Sequence, residues 1–306
     1  MAARGLNRLR ADLVDARRSF GGPRLPRVPY SERTRTRLVA EALYRSEPVA
    51  RLRGGSADLM ARLRGTHDPD LPPRRLQLGV GGGDFRAVGE RFRDHLIELG
   101  GLEPHHAVLD VGSGSGRMAI ALKDWLTGGY EGFDVVPEAV EWCRQEITVR
   151  NPSFRFQTAD IRSERYNPTG RYEAASYRFP YSDSSFDVAF LTSVFTHLQG
   201  DAVSNYLAEL ARVLRPGGRC FATYFLMNDE AERLMGGHGQ FGFDQGGQLV
   251  VDERVPERAV AFREADVREL HEGSGLPIEA IYPGSWCGRE SYTSFQDITV
   301  SMNAKP

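Results

Sequence analysis

Three aspartates stand at points of the sequence where each could bind part of a ligand. Asp110 comes just before the first glycine of "VLDVGSGSGR", Asp134 lies in "GFDVVPEAV", and Asp160 ends "FRFQTAD". A carboxylate accepts hydrogen bonds from ribose hydroxyls or an exocyclic amine, and it attracts an ammonium group. Together these residues predict a binding site for a ligand that carries such groups.

The glycines after Asp110 are spaced one residue apart, at Gly112, Gly114 and Gly116. A strand followed by such a turn can hold a dinucleotide, a phosphate or a nucleoside, and the spacing alone leaves the three open. A dinucleotide fingerprint has its third glycine one residue later, and the carboxylate of Asp110 would repel a pyrophosphate. The pattern therefore disfavours NAD. Asp134 could also serve as the N-cap of the helix that follows it.

The elements that must position these residues alternate between strand and helix from about residue 76 onward. Each predicted strand that ends in an aspartate precedes a turn, so the carboxylates should lie at one edge of a doubly wound α/β sheet. We read the Gly-rich stretch "GGHGQFGFDQGGQ" as a connection. The last two predicted strands, "IEAIYPGSW" and "FQDITVSMN", are joined by a short link and should pair antiparallel.

The chain divides by charge into two parts, which we predict to be a helical extension and a ligand-binding domain. Residues 1–75 carry 17 Arg against 8 acidic residues, whereas the whole chain has a net charge of −2. Short helical patterns in this segment are interrupted by "GGPRLPRVP" and end at "HDPDLPP". Residues 76–306 form the predicted binding domain.

Five motifs in one order resemble the class I S-adenosylmethionine-dependent methyltransferases: "LDVGSGSG", the Asp134 position, "TAD", "FDVAFLTSVFTHL" and "LARVLRPGGRCFATYF". The resemblance covers roughly residues 80–306. It implies a seven-stranded Rossmann-like sheet whose last strand is antiparallel, with S-adenosyl-L-methionine as cofactor. It also implies that Asp110 lies near the methionine moiety, Asp134 binds the ribose and Asp160 the adenine. The other cofactor contacts that it implies come from Gly112, Ser113, Gly114, Gly116, Val135, Ile161 and Thr192.

Two histidines are the candidate bases for an acceptor hydroxyl. His197 follows the predicted fourth strand, and His238 lies in the Gly-rich connection. Neutral imidazole accepts a proton near pH 7, although either histidine could instead fix a loop. The signatures of amino-group and cytosine C5 methyltransferases are absent, and no metal-ligand pattern is evident, so we predict no metal and O-methylation of a small-molecule hydroxyl.

Four residues are candidates for binding this acceptor. Phe85, Trp286 and Tyr292 could line an acceptor cavity, although each could equally be a core aromatic. Arg289 could orient an anionic or polyhydroxylated acceptor, or be an ordinary surface arginine.

Composition limits the class of protein. A chain that is 41% hydrophobic can bury a core. The sequence contains no run of about 18 apolar residues, so we predict no membrane span. The three cysteines have no paired spacing, so we expect reduced thiols. The N-terminal residues contain no apolar signal-peptide core, so we expect a cytoplasmic enzyme, and we place its hydroxyl acceptor in specialised or glycoside metabolism. The extension is expected to cover the acceptor pocket or to form a homodimer contact.

Two other functions use the same domain. In the first, the basic extension docks a peptide or an RNA that is methylated. The extension lacks the interleaving of aromatic and basic residues that is typical of single-stranded RNA binding, which disfavours a nucleic-acid partner. In the second, the fold keeps the cofactor site without turnover.

Overall fold

The computed structural model describes residues 58, 60, 63, 68–237 and 239–305. The chain divides into two compact units, residues 1–90 and 91–306. The first unit contains helix α1 (Arg74–Gly79) and the start of helix α2 (Phe85–Glu98). Most of the predicted extension 1–75 falls outside the described residues, so its helices and its boundary stay predictions.

The second unit is built around a seven-stranded sheet, which confirms the predicted fold class. Its strand order is β10-β11-β5-β4-β1-β2-β3. Strands β1 to β5 are parallel, and β11 pairs antiparallel with both β5 and β10. The strands are β1 (Val108–Val111), β2 (Tyr130–Asp134), β3 (Phe154–Thr158), β4 (Phe186–Leu191), β5 (Leu214–Tyr224), β10 (Ile278–Tyr282) and β11 (Asp297–Met302).

Helices connect most of the parallel strands. They are α3 (Arg117–Leu122), α4 (Pro137–Cys143) and α5 (Gly200–Val213). A further helix, α7 (Glu264–Gly273), precedes β10. A π-helical turn, Arg144–Thr148, continues α4. Between β3 and β4 the chain instead forms a long connection with one 3₁₀ turn, Ala174–Ser176. Because crossovers return each strand in the same direction, the carboxyl ends of β1 to β5 meet at one edge.

The central strands are buried on both faces, as parallel strands covered by helices are. All four residues of β1 are buried, and so are five of the six in β4. The phenol of Tyr130 stacks on Phe154 with ring centroids 4.8 Å apart. Each such large side chain contributes roughly 1.5–3 kcal/mol on burial. The loops at the carboxyl edge therefore follow strands that are packed into the core.

A second, four-stranded sheet forms where the sequence predicted only a Gly-rich connection. Its order is β6-β9-β8-β7. Gly246 and Gly247 both have positive φ and make a two-residue turn between paired strands β7 and β8. Primed hairpin turns require this conformation, so the Gly-Gly pair marks a hairpin. The elements are β6 (Leu226–Met227), helix α6 (Asp229–Met235), β7 (Phe243–Gln245), β8 (Gln248–Val250) and β9 (Val260–Arg263).

Two further expectations concern the state of the cysteines and the length of apolar helices. Cys143, Cys220 and Cys287 are free and buried, and burial raises the pKa of the Cys220 thiol to about 12. Among the described residues, no helix combines the length and apolar character that crossing a membrane requires.

Candidate active site

The glycine loop joins the end of β1 to the start of α3. Gly112, Gly114 and Gly116 all have positive φ, at 79°, 51° and 76°. A Cβ on Gly112 would clash with Val194, and one on Gly116 would clash with Ile147. These two glycines are therefore required by the backbone and by neighbouring side chains. That the loop also lines a cofactor stays a prediction.

Asp134 ties the end of β2 to this loop. Its carboxylate accepts hydrogen bonds from the backbone N–H of Gly114 at 2.7 Å and of Val136 at 2.9 Å. Burial raises the pKa of the Asp134 carboxyl, and the backbone donors oppose the rise. Helix α4 begins at Pro137 with Val136 as its N-cap, so Asp134 does not cap that helix. Each carboxylate oxygen keeps a second lone pair, which fits two ribose hydroxyls.

Replacing Asp134 with alanine should weaken S-adenosylmethionine binding at least tenfold. A hydrogen bond to a charged group contributes about 1.5–3 kcal/mol, and here the loop N–H of Gly114 also loses its acceptor. Calorimetry on the folded variant measures the affinity, with alanine at the exposed Asp124 as the matched control. Equal affinity for S-adenosylmethionine in the Asp134 and Asp124 variants would show that Asp134 does not bind the cofactor.

Asp110 is a fully buried acid on β1. The hydroxyl of Tyr130 donates a short hydrogen bond to Asp110 Oδ2, while burial raises the pKa of Asp110 to about 7. The charge of Asp134 raises it further. Among the described residues, neither Asp110 Oδ1 nor Ser113 Oγ has a hydrogen-bond partner. Buried polar atoms are rarely left unpaired, so these two suit a ligand with a cationic or donor group.

Binding of S-adenosylmethionine should therefore depend on pH through Asp110. The free protein holds a proton on this carboxyl below about pH 7, and a cationic group binds the ionised form. Affinity should be about tenfold weaker at pH 6 than at pH 8, because a proton must leave before binding. Titration calorimetry at both values tests this, and the Asp110→Asn variant should bind weakly with no such pH dependence. A natural protein that binds equally at both pH values would contradict the role.

Asp160 lies at the end of β3, as predicted, but it carries a partner that the sequence did not reveal. Arg171 Nε donates to Asp160 Oδ2 at 2.6 Å and lowers the pKa of this acid. The Arg171 backbone N–H also donates to the Asp160 carbonyl. Both side chains are exposed to solvent, which screens the pair and allows it to exchange. The neighbouring Ile161 is buried.

The remaining predicted cofactor contacts lie close to these aspartates in the chain. Val135 follows Asp134 and packs partly buried against the main core cluster. Thr192 follows the last residue of β4 and is half-buried. Their contact with a cofactor stays a prediction.

His197 ends a 3₁₀ turn, Phe195–His197, just after β4. Its Nδ1 lies 2.9 Å from the carbonyl oxygen of Glu257, and a carbonyl only accepts, so Nδ1 carries the hydrogen. Nε2 therefore holds the lone pair. Burial lowers the pKa of His197, which keeps the imidazole neutral at pH 7. The other candidate base, His238, lies outside the described residues.

Tyr166 joins this group without having been predicted. Its ring packs edge-on against His197 with centroids 5.9 Å apart. Burial raises the pKa of the Tyr166 phenol, and the charge of Asp134 adds to the rise. Tyr166 belongs to the long connection between β3 and β4, whose sequence gives no periodic signal for its position.

The four predicted acceptor residues have different surroundings. Arg289 is buried rather than a surface residue, and its guanidinium bonds Asp297, Glu230 and the Gly284 carbonyl. Trp286 is also buried, and its Nε1 donates to Asp297 at 2.5 Å. Phe85, in the first unit, is buried, and Tyr292 is 39% exposed. A direct role in acceptor binding stays a prediction for each of them.

One group of described side chains could hold a metal ion. The ligand atoms of Glu103, His105 and His106 lie within 4.8 Å of one another. The group precedes β1 and so lies at the amino edge of the sheet, opposite the glycine loop. It is not part of the candidate site.

Comparisons with known proteins agree with this geometry. Residues 109–222 match the family model described as a methyltransferase domain. The chain is 30% identical over 133 residues to methyltransferase GfsG of Streptomyces halstedii, covering 43% of this chain and 42% of that protein. It is 28% identical over 134 residues to an uncharacterized protein of Haemophilus influenzae, covering 44% and 48%. The chain thus spans less than half the length of these relatives.

A solved structure shares the fold. The PH0226 protein of Pyrococcus horikoshii OT3 superimposes with a TM-score of 0.52 at 16% identity, over 73% of this chain and 93% of that one. The matched family domain contains the glycine loop, Asp110, Asp134, Asp160 and His197. Over residues 109–222 the chain is therefore similar to known methyltransferase domains.

Proposed function

We propose that this protein transfers a methyl group from S-adenosylmethionine to a neutral hydroxyl of a small molecule. The observation that carries the proposal is the state of His197. A neutral imidazole with its proton fixed on Nδ1 stands after β4, at the edge where the glycine loop lies. A hydroxyl needs a base to become a good nucleophile, and in this proposal the lone pair of Nε2 would take that role.

The aspartates supply the cofactor contacts in this proposal. Asp134 would bind the ribose through the lone pairs that Gly114 and Val136 leave free. Asp110 and Ser113 would contact the amino-acid portion through their unpartnered oxygens. Asp160, with Ile161 beside it, would accept from the adenine amine after exchanging part of its contact with Arg171. Bound S-adenosylmethionine supplies an electrophilic methyl group on a sulfonium.

The residues of the chain then align the acceptor and move one proton. The acceptor O–H would donate to His197 Nε2, and the proton would pass to this nitrogen as the oxygen forms its bond to the methyl carbon. The bond between that carbon and the sulfonium sulfur would break in the same step, with its electron pair left on the sulfur of S-adenosylhomocysteine. The Glu257 carbonyl holds the ring orientation throughout. Alignment of two reactants can contribute about 7–11 kcal/mol, and a general base a further 10²–10⁴-fold.

A labelled-methyl assay on the full chain tests the proposal. The acceptors are a panel of sugars, phenols and peptides, and the product is analysed for the atom that carries the label. We expect label on a hydroxyl oxygen of a small molecule. Label on peptides alone would overturn the small-molecule proposal in favour of macromolecular methylation.

A further inference from the structure

The loop after β4 contains a strained residue. Ser193 has a φ of 60°, in the left-handed region that non-glycine residues rarely enter. Such a conformation persists only where surrounding contacts hold it, often at functional sites. The next residue, Val194, occupies the space beside Gly112 of the glycine loop. Ser193 is therefore fixed next to the predicted cofactor site, and it is exposed.

Three side chains from distant parts of the chain hold this conformation. The Ser193 backbone N–H donates to Thr223 Oγ1 at 2.8 Å. The hydroxyls of Ser193 and Thr223 both donate to Gln296 Oε1, at 3.0 and 2.7 Å. Thr223 is buried on β5, and Gln296 directly precedes β11. The cluster joins the edges of three neighbouring strands.

These bonds fix the orientation of the Gln296 amide. Gln296 Oε1 accepts from the Ser193 and Thr223 hydroxyls, and Thr223 Oγ1 in turn accepts the Ser193 N–H. The amide nitrogen Nε2 then points away from both hydroxyls. Gln296 is only 9% exposed, and no described residue accepts a hydrogen from its Nε2. The Gln296 side chain is thus mostly buried while its Nε2 has no protein acceptor, so this donor can bind a ligand oxygen.

Gln296 follows an aromatic residue in the sequence and precedes the buried acid Asp297, which pairs with Arg289. Phe295, next in the chain, is 62% exposed and packs edge-on against Phe225 with centroids 6.1 Å apart. Phe225 in turn packs against Trp286 at 5.3 Å. The nearby Arg289 is paired with Asp297 and Glu230. An uncharged molecule with an apolar body and an accepting oxygen fits these groups better than a carboxylate or a phosphate.

We propose that Gln296 binds the methyl acceptor, donating a hydrogen bond from Nε2 to an uncharged oxygen such as a carbonyl. Ser193 and Thr223 are positioning residues that orient the amide. The acceptor class is then a neutral, oxygenated molecule with an apolar or aromatic body. This inference rests on the proposed function, since it names the substrate class of the same site.

Calorimetric binding to the full chain saturated with S-adenosylhomocysteine tests the inference. The probes are para-hydroxyacetophenone, para-ethylphenol, which lacks the carbonyl, and para-hydroxybenzoate, which is charged. We expect the ketone to bind about tenfold more tightly than either of the others, the effect of one buried hydrogen bond. Failure of the ketone to bind, or equal binding of the ketone and para-ethylphenol, would overturn the inference.

Variants distinguish the role of the Gln296 amide as donor from the role of Thr223 in orienting it. Gln296→Glu keeps an oxygen for both hydroxyls but has no N–H, so the preference for the ketone should disappear, and the melting temperature measures the cost of the added charge at this mostly buried position. Thr223→Val should lose most of the preference and Thr223→Ser should restore it. A tenfold preference that survives in Gln296→Glu would contradict the assignment.

The methyl assay distinguishes this inference from the proposed function. A Gln296-dependent preference for the ketone without label transfer to any hydroxyl would leave the binding site standing and overturn O-methylation. Label transfer to hydroxyls without the preference would overturn only the role of Gln296.

Discussion

Replacing His197 with alanine should lower turnover by about 10²–10⁴-fold and leave S-adenosylmethionine affinity unchanged. The imidazole is neutral because burial lowers its pKa, and the Glu257 carbonyl fixes its proton on Nδ1, so Nε2 is the base in the proposed reaction. Loss of a positioned general base has this magnitude. Single-turnover rates at saturating cofactor measure the chemical step, and calorimetry measures the affinity.

The His197→Asn variant separates a base from a loop support. An asparagine N–H can take the place of Nδ1 as donor to Glu257, but the side chain accepts no proton at pH 7. We expect a melting temperature close to that of the natural protein together with the full rate loss. Recovery of the rate in this variant would show that His197 acts only by holding the loop.

The pH profile gives a second check on the same residue. Because the pKa of His197 is lowered from its ordinary value of 6.5, the turnover plateau at saturating cofactor should extend below pH 6.5. The rate loss in His197→Ala should shrink for an acceptor hydroxyl acidic enough to ionise unaided. A natural rate in His197→Ala combined with an inactive His238→Ala would transfer the role to His238.

The sheet and the glycine loop could be predicted because their signals are local. An apolar run such as "VLDV" followed by glycines and a helix specifies a buried parallel strand and its turn within a few residues. The order of strand and helix then restricts the topology. The antiparallel last strand was predicted from the same kind of signal, the short link between two strands.

The contacts that were missed join residues far apart in the chain or depend on a turn type. Ser193 and Gln296 are separated by 103 positions, and no local pattern pairs them. Arg171 lies in an irregular connection, so its ion pair with Asp160 could not be assigned. The hairpin at Gly246 was missed because adjacent glycines fit both a loop and a positive-φ turn.

Arg289 shows how a sequence can suggest the wrong environment. The segment "SWCGRE" is polar enough for a surface loop, yet the arginine is 7% exposed. Its partner Asp297 is 1% exposed and also accepts from the Leu226 and Gly284 backbone. The carboxylate that pairs with the buried guanidinium belongs to Asp297, which lies eight residues further along the chain and is the first residue of β11.

Replacing Arg289 with alanine should therefore destabilise the fold by about 3–5 kcal/mol, the cost of leaving a buried charge without its partner. Burial raises the pKa of Asp297, and the guanidinium opposes that rise. Denaturant unfolding at pH 7 measures the loss. Alanine at Glu230, the partner that is 53% exposed, serves as the control and should cost no more than about 1 kcal/mol.

The dependence of this loss on pH identifies the buried charge as its cause. Without Arg289 the folded-state pKa of Asp297 should rise further, so protonation at low pH stabilises the folded variant and this stabilisation is lost as the pH rises. The stability difference between the natural protein and Arg289→Ala should then be smaller at about pH 5 than at about pH 8. The added substitution Asp297→Asn should recover part of the loss at pH 8. If Arg289→Ala were as stable as the natural protein but bound the acceptor more weakly, the result would contradict the structural role and show that Arg289 binds the acceptor.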